Sequence, residues 1–331
     1  MDSIDPPFVS VHALDAGHLT LPESFFVSPL DDPTARKTVP SLSFLIQHTD
    51  SITARKRRIV FDLGIRRSLE DYAESIYRHA LTRMPCSGKP DVVESLRLGG
   101  FVPDDIDMVI LSHLHWDHIG MPSDFPNTSF IVGAGAAGLI DGSRPAAVGS
   151  HNHFEHEIIS LDRLIELPPT STTAAHSSKR VPLSQSTQQL LGTTRLASRG
   201  WEAVGLFEHA IDVFEDRSLF IVSSPGHLDG HINLLCRLSS GKYVYLAGDA
   251  CHDARLLSGE KEIATWYDDK YPGAVCCIHT DKQAAQRTLG LIRDTQAGKS
   301  GLGKVEVVFA HDAHWEAEAK RLGKFLPGSL C

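Results

Sequence analysis

Three imidazoles and one carboxylate fall within six residues at His113-Leu114-His115-Trp116-Asp117-His118. They directly follow the apolar run Asp107-Met108-Val109-Ile110-Leu111, which reads as a buried strand. Alternate side chains of an extended stretch share a face, so His113 and His115 can chelate one ion. Where the chain then turns, Asp117 and His118 project elsewhere and can hold a second ion close by. Imidazole nitrogen with carboxylate oxygen suits zinc first, with manganese, iron and cobalt as alternatives. A solvated histidine-rich loop is the plain competing explanation.

Three further expected strands run into residues of the same chemistry. Ser218 to Val222 feeds Ser223-Ser224-Pro225-Gly226-His227-Leu228-Asp229-Gly230-His231. Tyr243 to Ala247 feeds Gly248-Asp249-Ala250-Cys251-His252, and Val305 to Ala310 feeds His311-Asp312. Four strands that each end in potential ligands predict a rigid rim along one edge of a sheet structure, held by the core rather than by loops. A fifth run, Arg58-Ile59-Val60-Phe61, ends in Asp62-Leu63-Gly64 and puts Asp62 at the same rim, as a support for a ligand or as a turn residue.

Elements that position these residues can be read on either side. Phe8 to Leu14 and Ser41 to Gln47 are β-like, Ser68 to about Met84 and Pro90 to Arg97 have helical patterns, and Phe130-Ile131-Val132 is a short strand. Ala210 to Phe214 and Ser218 to Val222 form a hairpin pattern. Thr280-Asp281-Lys282-Gln283 opens a helix to about Gln296, and Trp315 to Phe325 looks like a closing helix. Periodicity is lost from Gly142 to Gly200, an expected lid or pocket wall within a single domain of residues 1–331.

The chain of 331 residues is 42% hydrophobic, enough for a large core. Its formal charge of -9 and pI near 6.0 disfavour nucleic acid or an anionic membrane as partner. No apolar run approaches a membrane span, and the N-terminus lacks the basic and apolar regions of a secretory signal. Six cysteines without Cys-x-x-Cys spacing read as reduced thiols, which points to the cytoplasm.

Together, His113-x-His115-x-Asp117-His118, Pro225-Gly226-His227-x-x-Gly230-His231, Gly248-Asp249 and His311-Asp312 resemble the metallo-β-lactamase superfamily. Within it the chain is similar to the N-acyl homoserine lactonases and related small lactone and lactam hydrolases. The resemblance covers most of the chain, sparing chiefly Gly142 to Gly200. It implies an α+β fold, a four-layer αβ/βα sandwich. It also implies that His113, His115 and His227 bind a first metal and Asp117, His118 and His311 a second, with Asp249 bridging them beside a hydroxide nucleophile. His231, Asp312 and Asp62 would brace the ligands from behind. Two cations of this kind lower the pKa of the bridging water and stabilise the oxyanion.

One departure bears on the reaction. The homoserine lactonases carry a tyrosine three residues after the bridging aspartate, and here that position is His252. Beside Asp117 and Asp249, His252 is the expected catalytic residue: an imidazole can polarise the carbonyl or protonate a departing nitrogen. This extends the expected substrates from lactones to lactams and cyclic carbamates such as benzoxazolinones. Trp116, Phe154, Trp201, Phe207 and Trp266 are pocket candidates, with plain core packing as the alternative. Arg144, Lys179 and Arg180 are candidates for binding a carboxylate. The expected partner is a small cyclic molecule, and the sequence leaves room for a homodimer. A thioesterase or glyoxalase II-like thioester hydrolase is the alternative function, since both use the same ligand set.

Overall fold

The computed structural model describes residues 6–144, 152–170, 200–268 and 272–331. Two six-stranded sheets organise it. The first runs in chain order: β1 (Val9–Leu14), β2 (Ser43–Thr49), β3 (Lys56–Phe61), β4 (Met108–Ile110), β5 (Ser129–Val132) and β6 (Leu164–Glu166). The first two pairings are antiparallel, and β3 to β6 are parallel. Parallel neighbours need crossovers. These include α1 (Glu74–Leu81) and α2 (Val92–Leu98) between β3 and β4, α3 (Trp116–Ile119) after β4, and α4 (Ala136–Ile140) after β5.

The second sheet is a meander of β7 (Glu202–Val204), β8 (Phe207–Asp212), β9 (Leu219–Ser223), β10 (Ile232–Arg237) and β11 (Tyr243–Leu246). It closes with β12 (Val305–Val308), parallel to β11. The crossover between these two carries α5 (Ala254–Ser258) and α6 (Lys282–Gln296). The last helix is α7 (Ala313–Arg321).

Strand alternation builds the layers. Phe44, Ile46, Ile59, Phe61, Ile110 and Ile131 of the first sheet pack against Ile211, Ile221, Leu234, Val244, Leu246 and Val308 of the second. The intervening residues point outward: Leu45, Val60, Val109 and Phe130 meet Val92, Leu96, Leu139 and Ile140 of α2 and α4. On the other side, Phe220, Leu235, Tyr245 and Val307 meet Leu256, Leu257, Leu289 and Ile292 of α5 and α6. This is the αβ/βα sandwich. β4 and β9 are buried on both faces, which is why they read as continuous apolar runs.

Several expectations need correction. The pattern from Ser68 to Met84 is not one helix: a single 3-10 turn at Leu69–Asp71 is followed by extended Tyr72, and α1 starts only at Glu74. The Tyr72 hydroxyl holds the break, accepting from the Arg66 amide at 2.8 Å and donating to the Trp116 carbonyl at 2.8 Å. Within the stretch from Gly142 to Gly200, regular structure returns at β6, paired with β5. Its Glu166 carboxylate accepts from the Gly135 and Ala137 amides at the start of α4. The strand β10 and a hairpin of His18–Pro22 with Arg36–Pro40 had no clear sequence signal. No helix among the described residues is long and apolar enough to cross a membrane, and all six cysteines are free.

Candidate metal centre

The ends of β4, β9, β11 and β12 meet at one edge of the sandwich, where backbone bonds join the two sheets. The Ile232 amide donates to the Ser112 carbonyl at 2.9 Å, and the Leu42 amide to the Ala310 carbonyl at 2.9 Å. Gly248 turns at φ 47°, and a Cβ there would stand 2.9 Å from the Ser112 Cβ. Only glycine permits that turn and that approach of Asp249 to the first sheet.

Two groups of buried side chains converge at this edge. In the first, His115 Nδ1 lies 2.9 Å from His113 Nε2 and 3.0 Å from His227 Nε2. Asp249 Oδ2 stands 3.7 Å from His113 Nε2 and 3.4 Å from His227 Nε2. In the second, Asp249 Oδ1 is 3.2 Å from both His118 Nε2 and His311 Nε2, and His311 Nε2 is 3.6 Å from Asp117 Oδ2. Asp249 therefore faces the first group with one oxygen and the second with the other.

The far nitrogens of the rings are held from behind. His118 Nδ1 donates to Asp62 Oδ2 at 2.9 Å, and His311 Nδ1 donates to the Pro40 carbonyl at 2.7 Å. His113 Nδ1 lies 3.0 Å from the Ser112 hydroxyl, which itself donates to Asp62 at 2.7 Å. These bonds leave the Nε2 lone pairs of His113, His118 and His311 directed at the two groups, which is how ligand tautomers are fixed in metal sites. His118 Nε2 and Asp249 Oδ1 are buried without a hydrogen-bond partner of good geometry among the described residues. Buried polar atoms seldom remain so. Convergent imidazole nitrogens around a carboxylate are the donor set of divalent zinc and its neighbours, and each group could hold a metal ion.

Electrostatics divide the rings. Burial, reinforced by neighbouring imidazoles, drives His113 and His227 well below the ordinary histidine range. Burial would do the same to His118 and His311, but the Asp249 carboxylate outweighs it and raises both. Burial likewise works to raise Asp249, yet His118, His311 and His252 overcome it and hold its carboxyl well below the usual range.

His231 is brought to the site, its Nδ1 bonded to the Ser224 carbonyl at 3.1 Å and its Nε2 accepting the Asp249 amide at 3.2 Å. It ties the two loops together, and burial lowers it to about 4. Asp312 instead caps α7, accepting from the Trp315 amide at 2.9 Å. His252 Nε2 is 3.0 Å from Asp249 Oδ2, its ring is stacked 5.7 Å from that of His311, and its Nδ1 is buried without a hydrogen bond.

A cavity opens over the two groups, lined by Trp116, His252, Leu19, Leu21, Phe26 and Ile278 among others. His79, Arg83 and His153 also line it, and none had a sequence signal: the first two belong to the α1 region and the third to the variable segment. His279 was also missed. It packs behind His227, their Nδ1 atoms 3.3 Å apart. Of the expected pocket aromatics, Trp116 lines the cavity, while Phe154 and Phe207 are core residues. Trp201 donates to the Pro168 carbonyl, and Trp266 packs on Phe25. Arg144 pairs with Asp229 at 3.0 Å, and Lys179 and Arg180 lie outside the described residues.

A two-sheet sandwich with helices outside and a histidine-aspartate cluster at the strand ends defines a class, and the chain belongs to it: the metallo-β-lactamase superfamily, matched over residues 36–294. Two curated relatives are a γ-lactamase, FDB1, of Fusarium pseudograminearum and a metallo-hydrolase, mfmC, of Annulohypoxylon moriforme. The first is 28% identical over 236 residues, covering 70% of this chain and 50% of its own length. The second is 31% identical over 259 residues, covering 75% of this chain and 58% of its own length. The chain thus spans well under two thirds of the length of these relatives. Among solved structures, an N-acyl homoserine lactone hydrolase with N-hexanoyl-L-homoserine at its catalytic metal centre shares the fold. It has a TM-score of 0.61 and 18% identity, and the match covers 98% of this chain and all of the other.

Proposed function

We propose that the chain is a metal-dependent hydrolase that opens a small cyclic acyl compound, a lactone or a lactam-like ring including cyclic carbamates. The observation that carries this reading is Asp249, whose two oxygens face two separate ligand groups. His113, His115 and His227 would hold one ion and Asp117, His118 and His311 the other, with Asp249 shared, all within one domain of residues 1–331. When bound, such ions supply Lewis acidity and a nucleophilic water near neutral pH, zinc being the first choice.

The chain's own residues do the rest. Asp62, Pro40 and Ser112 fix the ring tautomers of His118, His311 and His113, so that the Nε2 atoms of these three face the centre as acceptors. Leu19, Leu21, Phe26 and Ile278 line the cavity beside the cluster with apolar surface, which favours a compact ring over bulk water. Opening the ring breaks its acyl C–O or C–N bond. The acyl carbon gains the hydroxyl of water, and the departing oxygen or nitrogen must gain a proton. His252 lines the cavity with its Nε2 3.0 Å from Asp249 Oδ2, and it is the ring to which we assign delivery of that proton. A departing nitrogen needs this help more than an alkoxide does. The γ-lactamase among the relatives supports including lactams.

The test is mass spectrometry for addition of one water across acyl homoserine lactones, small γ-lactones, lactams, benzoxazolinones and an acyl thioester. Zinc- or manganese-loaded protein is compared with a chelated control. Metal-dependent opening of a ring is expected, whereas turnover confined to the thioester would replace the reading.

A further inference from the structure

Among the described residues, the lining of the cavity over the cluster includes a cation that the proposed hydrolysis does not use. Arg83, just beyond the end of α1, lines that cavity and is 8% exposed. Its hydrogen bond runs from Nε to His79 Nε2 at 3.4 Å, and no carboxylate among the described residues lies within ion-pair distance. Arg66, equally buried at 6% exposure, shows what the fold does with a purely structural guanidinium. It pairs with Glu155 and donates to the Gly120 and Asp71 carbonyls. Asp117 acts on Arg83 only from beyond ion-pair distance and the Phe25 ring lies 5.8 Å from it, so no carboxylate among the described residues neutralises it by direct contact, which is unfavourable for a buried guanidinium. The chain tolerates that cost on the wall of its candidate active site.

The wall is also built to hold the group in place. His79 stacks on His153 at 3.4 Å between ring centroids and packs edge-on against Trp116 at 5.9 Å, and Trp116 sits between His115 and Asp117. The Trp116 amide donates to the His153 carbonyl at 2.8 Å. The guanidinium is therefore fixed to the loop that carries the cluster. With Nε turned to His79, its two terminal NH2 groups remain for a ligand, and their planar fork matches a carboxylate.

Resting on the ring-hydrolase reading, we infer that Arg83 is a specificity residue that binds a carboxylate substituent of the substrate, so that preferred rings carry an acid group beside the bond that opens. His79 and His153 position it.

The probes are 5-oxotetrahydrofuran-2-carboxylate and its primary carboxamide, two γ-lactones that differ in charge. Metal-loaded wild-type enzyme should show a KM at least tenfold lower for the carboxylate. Arg83→Met should collapse that ratio towards one, and Arg83→Lys should retain part of it. Equal KM values in the wild type, or an unchanged ratio in R83M, would overturn the inference. Because R83M alters a buried position, the wild-type comparison stands on its own if the variant does not fold. If the wild type opens neither ring, titration calorimetry of both probes replaces kinetics. A carboxylate preference that R83M abolishes would then support the anion site independently of ring opening, which the wider substrate panel decides, and the absence of a preference would overturn the site itself.

Discussion

Replacing Asp62 by asparagine isolates what the residues behind the cluster contribute. Asp62 is 1% exposed and its two oxygens receive three donors. These are the Ser112 amide at 2.6 Å, the Ser112 hydroxyl at 2.7 Å and His118 Nδ1 at 2.9 Å. Its φ of 60° is a left-handed conformation that asparagine also accepts, so the backbone is not perturbed. An amide offers one acceptor and one donor group. If its NH2 faces the Ser112 amide, a buried donor is left unsatisfied, at about 1–3 kcal/mol. If its NH2 faces His118 instead, Nδ1 must become the acceptor and the proton moves to Nε2. That nitrogen is the one 3.2 Å from Asp249 Oδ1, where a second ion would sit. Either orientation costs the protein something. D62N should bind its second zinc equivalent about 10- to 100-fold more weakly, the usual effect of losing a ligand's outer partner. The assay is metal per chain by plasma mass spectrometry after dialysis against graded free zinc, with thermal melts alongside. A variant that holds two equivalents at wild-type affinity and melts with the wild type would refute the proposed role of Asp62 and weaken the second site.

His252→Ala should lower kcat on a lactam about 10²- to 10⁴-fold, the range for a lost general acid, and lower it less on the matching lactone. Metal content measured in parallel should stay at the wild-type value, and loss of an ion would instead make His252 a ligand. Away from the site, Glu316 on α7 accepts from His18 and Lys320, each at 2.8 Å. Burial works to raise this carboxyl, but the two partners outweigh it and its pKa falls below 4.5. A group depressed in the folded state stabilises above its unfolded pKa and loses that contribution as pH falls through the folded one. Glu316→Gln should therefore cost about 1 kcal/mol at pH 7 in denaturant melts, with the gap closing in acid. A pH-independent gap would show that packing, not charge, is lost.

The class of fold and the chemistry of the cluster were legible in the chain itself, because both depend on local pattern. Strands buried on two faces must read as apolar runs, and β4, β9 and β11 do so shortly before His113, Ser224 and Asp249, while β12 is apolar apart from Glu306 and leads to His311. Asp62 also stood out, as a carboxylate after a strand and before a glycine. Residue spacing alone left open how these residues group, although the family resemblance implied a shared Asp249. That Asp249 turns one oxygen to each group depends on the Gly248 turn against Ser112 on the opposite sheet, which is a tertiary contact. Sequence also could not find Arg83, His79 or His279, because a helix-end cation or a lone histidine looks the same whether it faces solvent or a cavity. Local pattern determines which strands and ligands exist, but the meeting of two sheets at one edge determines what each ligand faces.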